Sequence, residues 1–207
     1  DFHLAALYGP EHGVRGNAQA GEFVDYYQDE HLGVPVFSLY GQALKLPDAP
    51  LADIDATMRS FDTQHTGKTV EHAMLRGVET LVFDLQDVGT RVYTYVATMA
   101  YAMQAAAEAG IPFVVLDRPN PINGVHMEGP ILEYPRHSSF IGLYPVPLRH
   151  GMTTGELARL FNARFLARRV ELTVVPMRGW KRDDGFEPFL AGHLPFVPPS
   201  PNLRSPS

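Results

Sequence analysis

The sequence predicts an α/β fold built on a parallel sheet with flanking helices, and three observations carry that expectation. An apolar strand-like run, a helical repeat and a second strand-like run follow one another between Val78 and Leu116. Of the 18 prolines, 13 lie after Arg118 and none falls in 51–111, which assigns the long regular elements to the first half and ordered loops to the second. The 207 residues are 45% hydrophobic and 11% aromatic with a net charge of only −6, enough apolar surface for a sizeable core and too little charge per residue for disorder.

Phe2–Tyr8 is a short apolar run stopped by Gly9-Pro10 and reads as a buried strand. Val34–Tyr40 reads as a second, with Pro35 confining it to a sheet edge or to the strand's first residues. The polar stretch 42–77 holds a weakly periodic helix within about 52–76. Val78–Leu85 is a strand rich in branched and aromatic residues. In Tyr93–Ala109, Val96, Met99, Ala100, Met103 and Ala107 share one helical face, and Gly110 with Pro112 stops the helix. Ile111–Leu116 is the next strand, so this βαβ unit implies a parallel sheet covered on both faces. Residues 117–147 are Pro- and Gly-rich and too long for a simple connector, which points to a functional loop or a small subdomain. Thr153–Leu166 is a second helix with a Thr153/Glu156 capping box and an apolar face of Leu157, Leu160, Phe161 and Phe165. Val170–Val175 is the last strand, and loops follow.

Composition excludes several kinds of chemistry. Without cysteine there is no disulfide framework, thiolate metal site or thiol nucleophile. An acidic chain whose basic runs are no longer than Arg168-Arg169 lacks the basic face that nucleic acid requires. No stretch approaches the ~18–20 apolar residues of a membrane span. Phosphate and cofactor signatures such as GxGxxG, GxxxxGK[ST], GxSxG and HExxH are missing.

Ligands of open α/β sheets bind beyond the carboxyl ends of the strands. Glu11-His12 follows the first strand, Asp84, Gln86, Asp87, Arg91 and Tyr93 surround the end of the third, and Asp117-Arg118-Pro119-Asn120 follows the fourth. Each also has a plain structural reading. Asp84 suits a partner for Arg91 or Arg118, Asp117 a turn that satisfies local backbone donors, Glu156 a helix cap, and His150 a loop. Glu11, flanked by Pro10 and His12-Gly13, is neither a helix former nor an obvious cap. Carboxylates in such a cluster suit glycoside hydrolysis, in which one acid protonates the leaving oxygen and a second group activates water or attacks the sugar. Arg118 or Arg149 could grip a substrate carboxylate.

Blocks along the chain resemble the NamZ-type exo-β-N-acetylmuramidases: Tyr8-Gly-Pro-Glu-His-Gly-Val-Arg-Gly16, Ser38-Leu-Tyr-Gly41, Phe83-Asp-Leu-Gln-Asp-Val-Gly-Thr-Arg-Val-Tyr-Thr-Tyr95, Leu116-Asp-Arg-Pro-Asn-Pro-Ile-Asn-Gly124, Arg149-His-Gly-Met-Thr-Thr-Gly-Glu-Leu-Ala158, Gly179-Trp180 and Pro199-Ser-Pro-Asn202. The resemblance implies a Rossmann-like domain over 1–150 that lacks its first strand, the beginning of a smaller α/β domain over 151–207, and a cleft between them. It implies release of N-acetylmuramic acid from the non-reducing end of peptidoglycan fragments with no cofactor and no metal, and a secreted or periplasmic location. Carried onto these positions, it makes Glu11 the catalytic acid, with His12, Asp84 and Asp117 as further catalytic candidates. Gln86, Asp87, Arg91, Tyr93, Arg118, Asn120, Arg149 and His150 are then cleft residues that bind substrate. The missing first strand and the stop just after Pro199-Ser-Pro-Asn202 lead to the expectation of a fragment. Two alternatives stand beside the hydrolase: a non-catalytic cell-wall sugar-binding protein, and a metal-dependent hydrolase using His12, His150 and the aspartates.

Overall fold

The computed structural model describes residues 2–22, 24, 27–39, 74–75, 77–185, 192–193 and 196–203. The helix expected within 52–76 therefore lies outside the described residues apart from a turn at 74–75. Strands β1 (Leu7–Gly9), β2 (Tyr27–Gln28) and β3 (Pro35–Ser38) form one sheet in the order β1-β3-β2, with β1 and β3 parallel. Pro35 stands first in its strand, where its missing N–H does least harm. The first strand is later and shorter than expected. Phe2 is fully exposed, and pairing begins only at Leu7 opposite Val36.

The second sheet is the expected βαβ unit. Strands β4 (Leu81–Phe83) and β5 (Phe113–Leu116) are parallel and joined by helix α1 (Tyr95–Ala109), which ends at Gly110 with φ 71°. The two-stranded sheet of β6 (Glu128–Ile131) and β7 (Pro147–Arg149) gives the 117–147 stretch its own structure. Helix α2 (Thr154–Arg164) and strand β8 (Leu172–Val175) follow. Although the sequence assigns these two to the start of a smaller domain, β8 pairs in parallel with β5 and α2 packs into the same core.

Both helices cover one face of this sheet. Phe83, Phe113 and Val115 point into a core completed by Met99, Met103, Leu157 and Phe161, all of them buried. Val82 and Val175, on the opposite face, are 53% and 44% exposed. The expectation of cover on both faces thus fails among the described residues, because α1 and α2 lie side by side instead of on opposite sides. The 117–147 loop is fastened to this core by rings: Tyr144 stacks on Phe165 at 4.7 Å and meets Phe161 at 4.8 Å. No helix among the described residues is long and apolar enough to cross a membrane.

The loop after β4 must turn sharply under Asn120. Gly89 has φ 83°, and a Cβ there would lie 2.4 Å from Asn120 Oδ1 and 2.5 Å from Ile122 Cγ1. Gly89→Ala is accordingly expected to cost more than the ~1 kcal/mol of a strained backbone alone. Met103→Ala should cost about 2–5 kcal/mol, and Val82→Ala less than about 1 kcal/mol, all measured as shifts of the urea unfolding midpoint.

Candidate active site

Strand β1 delivers Glu11 and His12 into a tight turn closed by Gly13 N donating to Pro10 O at 2.9 Å. His12 is buried and has φ 74°, one of two non-glycine residues with positive φ among those described. Its Nδ1 lies 2.9 Å from Ala18 O. A carbonyl only accepts, so Nδ1 carries the hydrogen, and in the neutral ring Nε2 keeps its lone pair. Glu11 Oε2 accepts from Thr94 Oγ1 at 2.8 Å and Oε1 from Gly21 N at 3.3 Å. Tyr95 Oη is 2.5 Å from Pro199 O and 3.0 Å from Glu11 O, so one proton faces two carbonyls and ties the 198–202 segment to this turn.

Tyr93 meets Tyr95 edge-on at 4.8 Å and lies over His12 at 6.5 Å. Burial pushes the Tyr93 phenol up to about 12, and the charges of Asp87 and Glu11 add to this, against the opposing effect of nearby Tyr95 and Ser200. Tyr95 is raised as well, again chiefly by burial. Both phenols therefore stay protonated near neutral pH. Although Ser200 and Tyr95 are close, the Tyr93 hydroxyl is buried without a well-directed hydrogen bond.

Beneath this cluster lies a buried polar layer. Gln86 Nε2 donates to Asp87 O and Pro119 O at 2.7 and 3.1 Å. Asp87 Oδ2 accepts from Gly89 N at 2.7 Å and lies 3.2 Å from Nε2 of the fully buried His150, at ion-pair distance but outside good hydrogen-bond angles. His150 Nδ1 accepts from Met152 N at 3.2 Å, which puts the hydrogen of the neutral ring on Nε2, toward Asp87. Asn120 donates to Met152 O and accepts from Ile122 N, at 2.9 and 3.0 Å. His150 is thus an interior residue rather than a solvated loop histidine.

The remaining candidates have structural partners. Arg118 Nε and Nη2 both reach Asp84 Oδ1 at 2.7 Å, and Asp84 is 47% exposed. Asp117 accepts from Gly155 N, Thr153 Oγ1 and Arg118 N at 2.7, 2.9 and 3.0 Å. Burial raises its pKa, and these three bonds oppose the rise. Arg91 Nη1 donates to Val146 O and Pro130 O, while Arg149 donates to Ile122 O and pairs with Glu128 at 3.3 Å. Both arginines brace the 117–149 segment. Among the described residues no group of three or more His, Asp or Glu side chains is placed to hold a metal ion.

Thr94, Tyr95 and Ser200 complete the Glu11 cluster and were not among the sequence-derived site residues. The signal for Thr94 is its position: a helix N-cap threonine ordinarily accepts from the first turn, which is worth ~1 kcal/mol, yet Thr94 (φ −66°, ψ −15°) makes no such bond. Glu156, read as a cap, is one. It completes the capping box of α2 with Thr153.

The chain matches, over residues 1–70 and 60–207, the family described as exo-beta-N-acetylmuramidase NamZ, N-terminal. It is 55% identical over 203 residues to the peptidoglycan beta-N-acetylmuramidase NamZ of Bacillus subtilis (strain 168), covering 98% of this chain and 42% of that protein. Crystal structures of two DUF1343 family proteins from Bacteroides fragilis superpose with TM-scores of 0.74 and 0.68 at 38% and 33% identity. These matches cover 98% and 99% of this chain and 44% and 45% of theirs. The chain spans less than half the length of these relatives. A family match that runs through every described element of the fold and site leaves one assignment: the chain belongs to the NamZ exo-beta-N-acetylmuramidase N-terminal family.

Proposed function

We propose that this chain carries catalytic residues of an exo-acting glycosidase that releases N-acetylmuramic acid from the non-reducing end of peptidoglycan fragments. The observation that carries the reading is the Glu11–His12 turn. Of the four catalytic candidates, Asp84 is tied to Arg118 and Asp117 to the start of α2, whereas the Glu11 carboxyl is held only by the Thr94 hydroxyl and Gly21 N among the described residues. The next residue, His12, is fixed by Nδ1 on Ala18 O, which leaves the lone pair of the neutral ring on Nε2. The name and 55% identity of the Bacillus subtilis relative support the same activity. With a cell-wall polymer as the source of its substrate, the proposal includes a secreted or periplasmic site of action, as the family resemblance implies.

In this reading the Glu11 carboxyl gives its proton to the glycosidic oxygen as the bond to the anomeric carbon breaks. A water molecule adds to that carbon and passes a proton to His12 Nε2, and proton exchange with solvent restores both groups. The Asp84–Arg118 pair, with Asp84 47% exposed, supplies polar groups for sugar hydroxyls and the lactyl carboxylate.

Hydrolysis of a chromogenic β-N-acetylmuramide by the full-length protein tests the reading. Glu11→Gln should lower kcat by about 10²-fold or more, and undiminished release would overturn the assignment. His12→Asn, which tolerates the left-handed backbone, should lower kcat by roughly 10²-fold as well. Asp117→Ala should instead lower stability by about 1–3 kcal/mol, seen as a lower unfolding midpoint. Its kcat, measured well below that midpoint, should stay within about threefold of the parent, which is ~0.7 kcal/mol of barrier.

A further inference from the structure

We propose that Thr94 is the positioning residue of Glu11, holding the carboxyl through both of its protonation states. The inference rests on the role proposed for Glu11 and extends it to a different element, the N-cap of a helix, 83 positions away.

Thr94 occupies the N-cap of α1 without capping it; its hydroxyl donates to Glu11 Oε2 at 2.8 Å. The two helix starts differ in backbone: the extended Thr153 (φ −80°, ψ 165°) accepts from Glu156 N and forms a complete capping box, whereas the helical Thr94 (φ −66°, ψ −15°) makes no cap and gives its hydroxyl to Glu11. Thr94 is only 8% exposed, so water competes poorly for the bond. Its backbone is fixed by Thr98, whose N–H and hydroxyl both donate to Thr94 O, at 2.9 and 3.1 Å. The hydroxyl therefore projects from a rigid support, as a group that must be held to a fraction of an ångström requires.

The other bond to the Glu11 carboxyl, from Gly21 N at 3.3 Å, is longer and exposed. A backbone N–H can only donate, so it can serve only an unprotonated oxygen. A hydroxyl both donates and accepts. Thr94 can donate to the ionised carboxylate and, after rotation of its hydrogen, accept from the carboxylic acid. With such a partner Oε2 can gain and lose a proton without losing its hydrogen bond, while Oε1 accepts from Gly21 N in both states.

The test is steady-state hydrolysis of a chromogenic β-N-acetylmuramide by the full-length protein and its Thr94→Val, Thr94→Ala, Thr94→Ser and Glu11→Gln variants, each checked for folding by thermal unfolding. Thr94→Val should lower kcat roughly 10- to 100-fold, with KM within about twofold. Thr94→Ser, which keeps the hydroxyl, should return kcat to within about threefold of the parent. Thr94→Ala gives the same readout if the valine is not accommodated. An unchanged kcat in the folded valine or alanine variant, or a serine variant no better than either, overturns the proposal. If Glu11→Gln is inactive while Thr94→Val is unimpaired, only the role of Thr94 falls. If Glu11→Gln stays active, the assignment of Glu11 falls and that of Thr94 with it.

Discussion

The carboxylate of Asp117 accepts from Arg118 N beside it and from Thr153 Oγ1 and Gly155 N at the start of α2. Through these bonds one side chain fixes the end of β5 against the opening of α2. The approach is so close that a Cβ on Gly155 would lie 2.8 Å from Asp117 Cγ and 2.5 Å from Val174 Cγ1. Helix α2 can therefore seat Leu157 and Phe161 in the core, and β8 can pair with β5. Arg118, whose N–H donates to Asp117, also pairs with Asp84 at the end of β4, so the ends of β4 and β5 are linked at the same place. A half-buried carboxylate is costly by itself, and three donors make this one a hinge pin rather than a defect.

Much of this was legible in the sequence, and the failures have physical causes. The α1 face was readable because Met99, Ala100, Met103 and Ala107 repeat at helical spacing and are all buried. The capping box of α2 was readable because its chemistry is local, within Thr153–Glu156. Strand lengths were not, since hydrophobicity marks what can be buried while the ladder ends where a partner ends. Val78–Leu85 reads as a strand of eight residues, but only Leu81–Phe83 pairs with β5. The one-sided cover of the sheet was hidden for a similar reason, because a branched residue such as Val82 carries no mark of which face it takes.

The site divides the same way. Position at strand ends found Glu11, His12, Asp84 and Asp117, but not which of them have partners, because pairing is a property of distance. Arg149 reads from sequence as a grip for a substrate carboxylate and Arg91, by resemblance, as a cleft residue, and both are found bracing backbone carbonyls of the 117–149 segment. His150 and Asp87 form an interior contact that no local pattern announces. Thr94 bonds Glu11 from 83 residues downstream, and Pro199 shares the Tyr95 hydroxyl with Glu11 O from far along the chain, a convergence that only the folded chain displays.

The backbone at His12 has a consequence for lineages of this protein. With φ at 74°, glycine is the residue this position would accept with least resistance, and His12 stands there against that preference. Once the imidazole no longer contributes to fitness, drift should carry position 12 toward glycine while the turn itself survives. Under the role proposed for His12, a homologue with an intact Pro10–Gly13 turn and glycine in place of the histidine would have kept the turn and given up that chemistry, recognisable from its sequence alone.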